Sequence, residues 1–160
     1  MAIRREHLRV GVISDTHGLL RPQALAALQG SDHIVHGGDI GNGVAILEQL
    51  ASIAPITAVR GNNDVGEWAS AIRESETIEL GGVRIHVVHD LKTLTIDPVA
   101  AEIDVVVSGH SHTPLVNQRG AVLYLNPGSA GPRRFRLPVC IAELVIADGK
   151  ATARIVELQA

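Results

Sequence analysis

Short apolar runs alternate with turns rich in glycine, aspartate and histidine along the whole chain. Residues 8–13, 32–36 and 56–59 are β-branched and apolar, a pattern that predicts buried strands. Between them, Pro22 suits the first turn of an alanine- and leucine-rich helix ending near Gly30, and a second helix is expected over 44–50. A helical turn is expected over 67–73. The pattern then changes to paired runs joined by tight-turn residues. Residues 76–80 and 83–88 flank Gly81-Gly82, 115–118 and 121–125 flank Arg119-Gly120, and 139–147 and 150–158 flank Asp148-Gly149. Each pair reads as a hairpin. Between the first two hairpins, Asp97 and Pro98 predict the N-cap and first position of a short helix over 97–102, and 105–107 reads as a buried strand. The segment 127–138, rich in glycine, proline and arginine, is expected to be a surface loop. Strand–helix alternation followed by hairpins predicts one mixed α/β domain over 1–160, with two packed sheets and helices outside.

Composition narrows the class. Hydrophobic residues make up 46% and charged residues 19%, which suits a packed core and not global disorder. Aromatic residues are 2%, so the core is built from Val, Ile, Leu and Ala, and no aromatic platform for single-stranded nucleic acid is expected. A formal charge of −3 argues against a broad basic nucleic-acid surface. Any phosphate handled here must meet bound cations. The single cysteine, Cys140, lies in an apolar run and reads as a buried thiol. The opening residues are charged and lack an apolar signal core, and no stretch reaches the ~20 apolar residues that span a bilayer. Cytoplasmic residence is the default expectation.

Five pieces carry the chemistry: Asp15-Thr16-His17, Gly38-Asp39, Gly61-Asn62, His89, and Gly109-His110-Ser111-His112. Each ends or follows an apolar stretch, at the C-terminal edge where open α/β sheets place their sites. In extended chain, residues i and i+2 share a side, so Asp15 and His17 are expected to face one ion, and His110 and His112 to repeat the arrangement. The candidate ligands are Asp15, His17, Asp39, Asn62, His89, His110 and His112. Seven are too many for one tetrahedral ion with an open position and suit two ions sharing a ligand.

This ordered set resembles the calcineurin-like metallophosphoesterases, in particular their small single-domain bacterial and archaeal phosphodiesterases. Asn126-Pro127-Gly128-Ser129 matches a further motif of that subgroup. The resemblance implies a four-layer αββα sandwich. It also implies that Asp15, His17 and His112 hold one divalent cation, that Asn62, His89 and His110 hold a second, and that Asp39 bridges them. A nitrogen and oxygen ligand set suits Mn, with Fe, Zn, Co or Ni as alternatives. The implied reaction is in-line attack on a phosphodiester phosphorus by a hydroxide shared between the cations. Small members of the family often form homo-oligomers. Two positions depart from the pattern. Asn63 stands where protein phosphatases of the superfamily carry a histidine acid; its amide could bond a phosphate oxygen but cannot protonate a leaving group. With Asp64, which orients it or simply forms the turn, Asn63 completes the candidate catalytic positions. Asp90-Leu91 follows His89, where the subgroup commonly has glycine.

Elsewhere two readings stay open. His36 is either a partner that orients a ligand or a core histidine bonded to backbone. Arg133, Arg134 and Arg136 form a solvated loop face or contact substrate. Asn126 and Ser129 shape the site wall or a tight turn, and Arg60 could reach the site. His7, His33 and His86 are read as structural or solvent-exposed. The alternatives to a phosphodiesterase are a phosphomonoesterase, a catalytically weak or inactive protein-interaction scaffold, or a metal-binding regulatory module, on the same fold. An intact set of seven ligands argues for the enzyme.

Overall fold

The computed structural model describes residues 7–160. The reading of the opening residues 1–6 lies outside the described residues. The chain runs β1 (His7–Ile13), α1 (Pro22–Leu28), β2 (His33–His36), α2 (Ala45–Ala51), β3 (Ile56–Ala58), α3 (Glu67–Ser70), β4 (Ser75–Leu80) and β5 (Val83–Val88). A 3-10 turn (Leu91–Thr93) follows, then β6 (Val105–Val107), β7 (Leu115–Arg119), β8 (Val122–Asn126), β9 (Cys140–Ala147) and β10 (Lys150–Glu157).

Two mixed five-stranded sheets result, ordered β10-β9-β1-β2-β3 and β4-β5-β6-β8-β7. In the first, β1, β2 and β3 are parallel and the β9–β10 hairpin adds antiparallel strands beside β1. In the second, β5, β6 and β8 are parallel, with β4 and β7 added antiparallel at the edges.

Period-two alternation decides which layer each side chain joins. Val10, Val12, Val35, Val105, Val107, Leu125 and Leu144 meet between the sheets. Ile13, Ile34 and Ile141 point the other way, onto Ala24, Leu28, Ile46 and Leu50 of the helical layer. β6 is buried on both faces, since Val106 packs outward with Ile103 and Val122. A run of three valines is what a central parallel strand asks for.

The fourth layer is thinner than expected. No α-helix forms over 97–102. Asp97 does cap, its Oδ1 accepting from the Val99 N–H at 3.0 Å, but Glu102 adopts φ +57° and Ile103 N–H closes onto the Pro98 carbonyl. The left-handed residue ends the segment after one turn. Segment 127–138 also differs from its expectation. Residues 127–131 are buried and only 132–136 are exposed. The buried part is held by Ala130 N–H to the Ser14 carbonyl, by the Ser129 hydroxyl to the Asp15 carbonyl, and by a Ser129–Val139 bridge.

Leu144 is wholly buried between the sheets. Leu144→Ala is expected to lower the unfolding free energy by about 2–5 kcal/mol in urea denaturation. Val99→Ala, at an exposed position, is expected to change it by less than about 0.5 kcal/mol.

Candidate metal centre

The parallel strands β1, β2, β3, β5 and β6 are followed by the segments carrying Asp15/His17, Asp39, Asn62, His89 and His110/His112. The backbone there is not extended. Nine described non-glycine residues have positive φ, and five are candidate ligands: Asp15 (55°), His17 (46°), Asp39 (55°), His110 (71°) and His112 (62°). Left-handed backbone at such residues costs about 1–3 kcal/mol each and persists only where the surroundings hold it. The expectation that i and i+2 share a side through extended chain is therefore corrected. Asp15 and His17 do converge, but through a turn. His110 and His112 diverge into different groups.

Those groups are Asp15, His17 and His112, and Asp39, His89 and His110. In the first, the His17 and His112 Nε2 atoms are 3.3 Å apart, and Asp15 Oδ1 lies 3.7 Å and 3.5 Å from them. In the second, Asn62 Oδ1 lies 3.0 Å from His89 Nε2 and 3.1 Å from His110 Nδ1. Asp39 Oδ2 stands between the groups, 3.6 Å from His17 Nε2 and 3.3 Å from His89 Nε2. Asp39 itself is buried and doubly held. Its Oδ1 accepts from the Asn63 backbone N–H at 2.8 Å, and its Oδ2 from the Asn63 amide at 3.0 Å.

The donor set fits cations. Asp15 Oδ1 is buried without a hydrogen-bond donor, while Oδ2 accepts from the Ser14 hydroxyl and the His110 N–H. A buried carboxylate oxygen left unpaired beside imidazole nitrogens is the kind of atom a cation would satisfy. His112 Nδ1 is also unpaired, but it is Nε2 that meets His17 and Asp15. His89 Nδ1–H donates to the Gly37 carbonyl at 2.7 Å, which leaves Nε2 with its lone pair toward the site.

Protonation follows the same pattern. Burial works against charge on Asp39, but the nearby His89 imidazole and the bonds from Asn63 outweigh it and hold the carboxyl below its usual range. Asp15 is also lowered: burial opposes, and His17 and Ser14 prevail. The adjacent Asp15 carboxylate raises His17. His89 is raised because Asp39 and Gly37 overcome its burial, whereas burial lowers His112. Protons on His17 and His89 thus compete with cations for the same lone pairs.

Close backbone approach sets the loops. A Cβ on Gly61 would collide with the backbone nitrogen and carboxylate of Asp39, and one on Gly109 with the Ser14 hydroxyl and Asp15 Oδ2. Asp64 does not face the ligand groups. It is buried, and its carboxylate accepts from the N–H groups of Ile40, Gly41 and Gly61, tying the Asp39 loop to the Asn62 loop. Asn63 spends its amide on Asp39, not on open space before the site. Asn126 Nδ2 donates to the Gly109 carbonyl and its Oδ1 accepts from Gly128, so it both forms the turn and supports the His110 loop.

His36 is the core histidine bonded to backbone, and it reaches the candidate ligand loops through Thr16 and Gly38. It is fully buried, and Nδ1 accepts from the Gly38 N–H at 3.0 Å. Nε2 must then carry the proton, donating to Thr16 Oγ1 at 3.0 Å, which in turn donates to the Ile40 carbonyl at 2.8 Å. The imidazole joins the Asp15 and Asp39 loops from beneath. Thr16 and Ser14 are contributors that sequence reasoning passed over. Their signal was only position, flanking Asp15 at a strand end.

The remaining candidates lie outside the groups. Arg60 is paired with Glu74 at 2.9 Å. Arg133, Arg134 and Arg136 are exposed, though the Arg134 charge reaches far enough to oppose protonation of His17 and His112. His33 bonds Thr57, His86 bonds Thr77, and His7 is exposed. Cys140 is buried, and burial followed by Glu157 pushes its thiol up to about 11. A cavity of about 180 Å³, lined by Arg60, Gly61, Asn62, Glu74, His89, Asp90 and Thr93, opens beside the second group.

The chain matches, over residues 8–149, the family model described as a calcineurin-like phosphoesterase superfamily domain. It is 31% identical over 163 residues to a probable metallophosphoesterase of Methanocaldococcus jannaschii, covering 94% of this chain and 81% of that protein. It is 30% identical over 145 residues to the phosphodiesterase YfcE of Escherichia coli K12, covering 72% of this chain and 76% of that one. The structure of Vacuolar Protein Sorting 29 from Cryptosporidium parvum superposes with a TM-score of 0.75 at 19% identity, over 96% of this chain and 98% of that chain. At that identity the likeness is one of fold.

Burial pushes His36 down from 6.5 to about 4, ahead of the opposing pull of Asp15 and Asp64. The unfolded chain therefore binds this proton first on acidification. The His36 contribution to stability is complete above pH 6.5 and is lost as pH falls toward 4. Between pH 7 and pH 5 the loss is roughly 2 kcal/mol. Urea unfolding of metal-free protein at the two pH values is expected to show a shallower acid loss, by about that amount, in His36→Gln.

Proposed function

We propose that this chain, which belongs to the calcineurin-like phosphoesterase superfamily, is a metal-dependent phosphoesterase that hydrolyses phosphodiesters with a pair of divalent cations. Asp15, His17 and His112 would hold one cation, Asn62, His89 and His110 the other, and Asp39 both. The observation that carries this reading is the place of Asp39 Oδ2 between an imidazole of each group, 3.6 Å from His17 and 3.3 Å from His89. Manganese is the expected metal, with Fe, Zn, Co or Ni able to use the same nitrogen and oxygen atoms. Bound cations supply Lewis acidity to phosphoryl oxygens and bring the pKa of water toward neutrality.

The residues of the chain do the placing. Asn63 fixes the carboxylate that lies between the groups, and Asp64 and His36 fix the loops that carry it. Asn63 has no proton to give to a departing alkoxide. Esters with good leaving groups are therefore the favoured substrates, and a phosphoprotein phosphatase is disfavoured. The cavity beside the second group is the available room for an ester substituent. Its guanidinium, Arg60, is already paired with Glu74. A neutral substituent therefore suits it better than a further phosphate.

The fold is shared with a vacuolar sorting protein, so fold alone does not carry activity. The converging ligand groups favour the enzyme over a scaffold. The family-level similarity to YfcE, which is named a phosphodiesterase, supports the substrate class.

Metal-stripped protein is expected to be inactive on bis(p-nitrophenyl) phosphate and to recover with Mn, Co, Ni or Zn. The diester is expected to be cleaved faster than p-nitrophenyl phosphate. Asp39→Asn is expected to lose more than the about 10–100-fold typical of residues that only support a ligand. Metal-independent turnover, or full activity in Asp39→Asn, would contradict the reading.

A further inference from the structure

Asp90, where the sequence departs from the subgroup's glycine, lies against the outer edge of His110. His110 is the exposed histidine of its ligand group, so packing holds its ring only in part, through an edge contact with His89. Its Nδ1 faces Asn62 Oδ1 at 3.1 Å, and its Nε2 faces outward, 3.7 Å from Asp90 Oδ2. Asp90 is pinned from the other side. Its Oδ1 accepts from the Lys92 N–H at 3.0 Å, and its carbonyl from the Thr93 N–H at 2.9 Å and hydroxyl at 2.7 Å. These bonds leave Oδ2 as the oxygen turned to His110.

We propose that Asp90 is the positioning residue of His110: its Oδ2 accepts the Nε2–H and so presents Nδ1, lone pair outward, to the second cation. A carboxylate behind a ligating imidazole sets its tautomer and ring orientation and raises its basicity. At 3.7 Å the two groups are in ion-pair contact and beyond hydrogen-bond length. Both side chains are partly exposed, and rotation of the His110 ring toward the held Asp90 would close that gap when Nδ1 is engaged. Asp90 thereby replaces, for the one exposed histidine among the candidate ligands, the constraint that burial gives His89 and His112. The inference rests on the two-cation reading above.

Two substitutions separate this role from the capping of the 3-10 turn. Serine caps such a turn but is too short to reach His110, whereas asparagine both caps and reaches. Zinc titration of metal-free wild type is expected to show two bound equivalents. In Asp90→Ser one equivalent weakens about 10–100-fold and the other is unchanged, while Asp90→Asn stays within a few-fold of wild type. Long-range ¹H–¹⁵N correlation on zinc-loaded wild type is expected to show His110 protonated at Nε2. A cap-only role would leave both variants like wild type. Two equivalents in wild type with Asp90→Ser unchanged, or His110 protonated at Nδ1, overturns the Asp90 assignment alone. Fewer than two equivalents in wild type overturns the two-cation reading and this inference with it.

Discussion

A buried aspartate whose charge must be met from both sides organises this molecule. Asp39 follows β2, between the two groups of imidazoles, with one oxygen turned to His17 and His89 and both oxygens bonded by Asn63. An isolated carboxylate in such a place would carry a large desolvation penalty. Here three loops converge to offset it, and each is itself held. Asp64 ties the Asn62 loop to the Asp39 loop, His36 and Thr16 tie the Asp39 loop to the Asp15 loop, and Gly61 gives the carboxylate room. Left-handed backbone at five ligand positions is the local strain that this network over-determines.

The sheets serve that convergence. Parallel strands from both sheets are followed by ligand-bearing loops, and the valine-rich layer between the sheets fixes how the two sets of loops face one another. The antiparallel hairpins complete the sheets and contribute Ser129 and Asn126 to the loops. The centre is thus a junction between two layers, and a change in packing between the sheets would be felt there as a change in ligand separation.

Much of this was legible in the chain. The apolar runs located β1, β2, β3, β5, β6 and the hairpins to within a few residues, because buried strands tolerate little besides β-branched residues. The candidate ligands were legible as an ordered set of aspartate, asparagine and histidine beside glycine at strand ends, and the structure brings them into two groups. The failures have physical causes. The side-sharing of i and i+2 presumes extended chain, and the chain turns left-handed at Asp15 and again at His110. Asp97 capped as expected, but Glu102 closed the segment too early for a helix. The buried half of 127–138 was hidden by a loop-like composition whose polar groups are spent on Asp15, Ser14, the Asn126 turn, Cys140 and Arg21. The contacts of Asp64 with Ile40, His36 with Thr16 and Asp90 with His110 span 20 to 24 residues, which no local pattern reveals.

The central claim is that one carboxylate is shared by two cations. Anomalous diffraction from crystals soaked in manganese tests it most directly. Two peaks about 3.5–4 Å apart, one on each side of Asp39, are predicted. A single peak, or none near Asp39, would contradict the account.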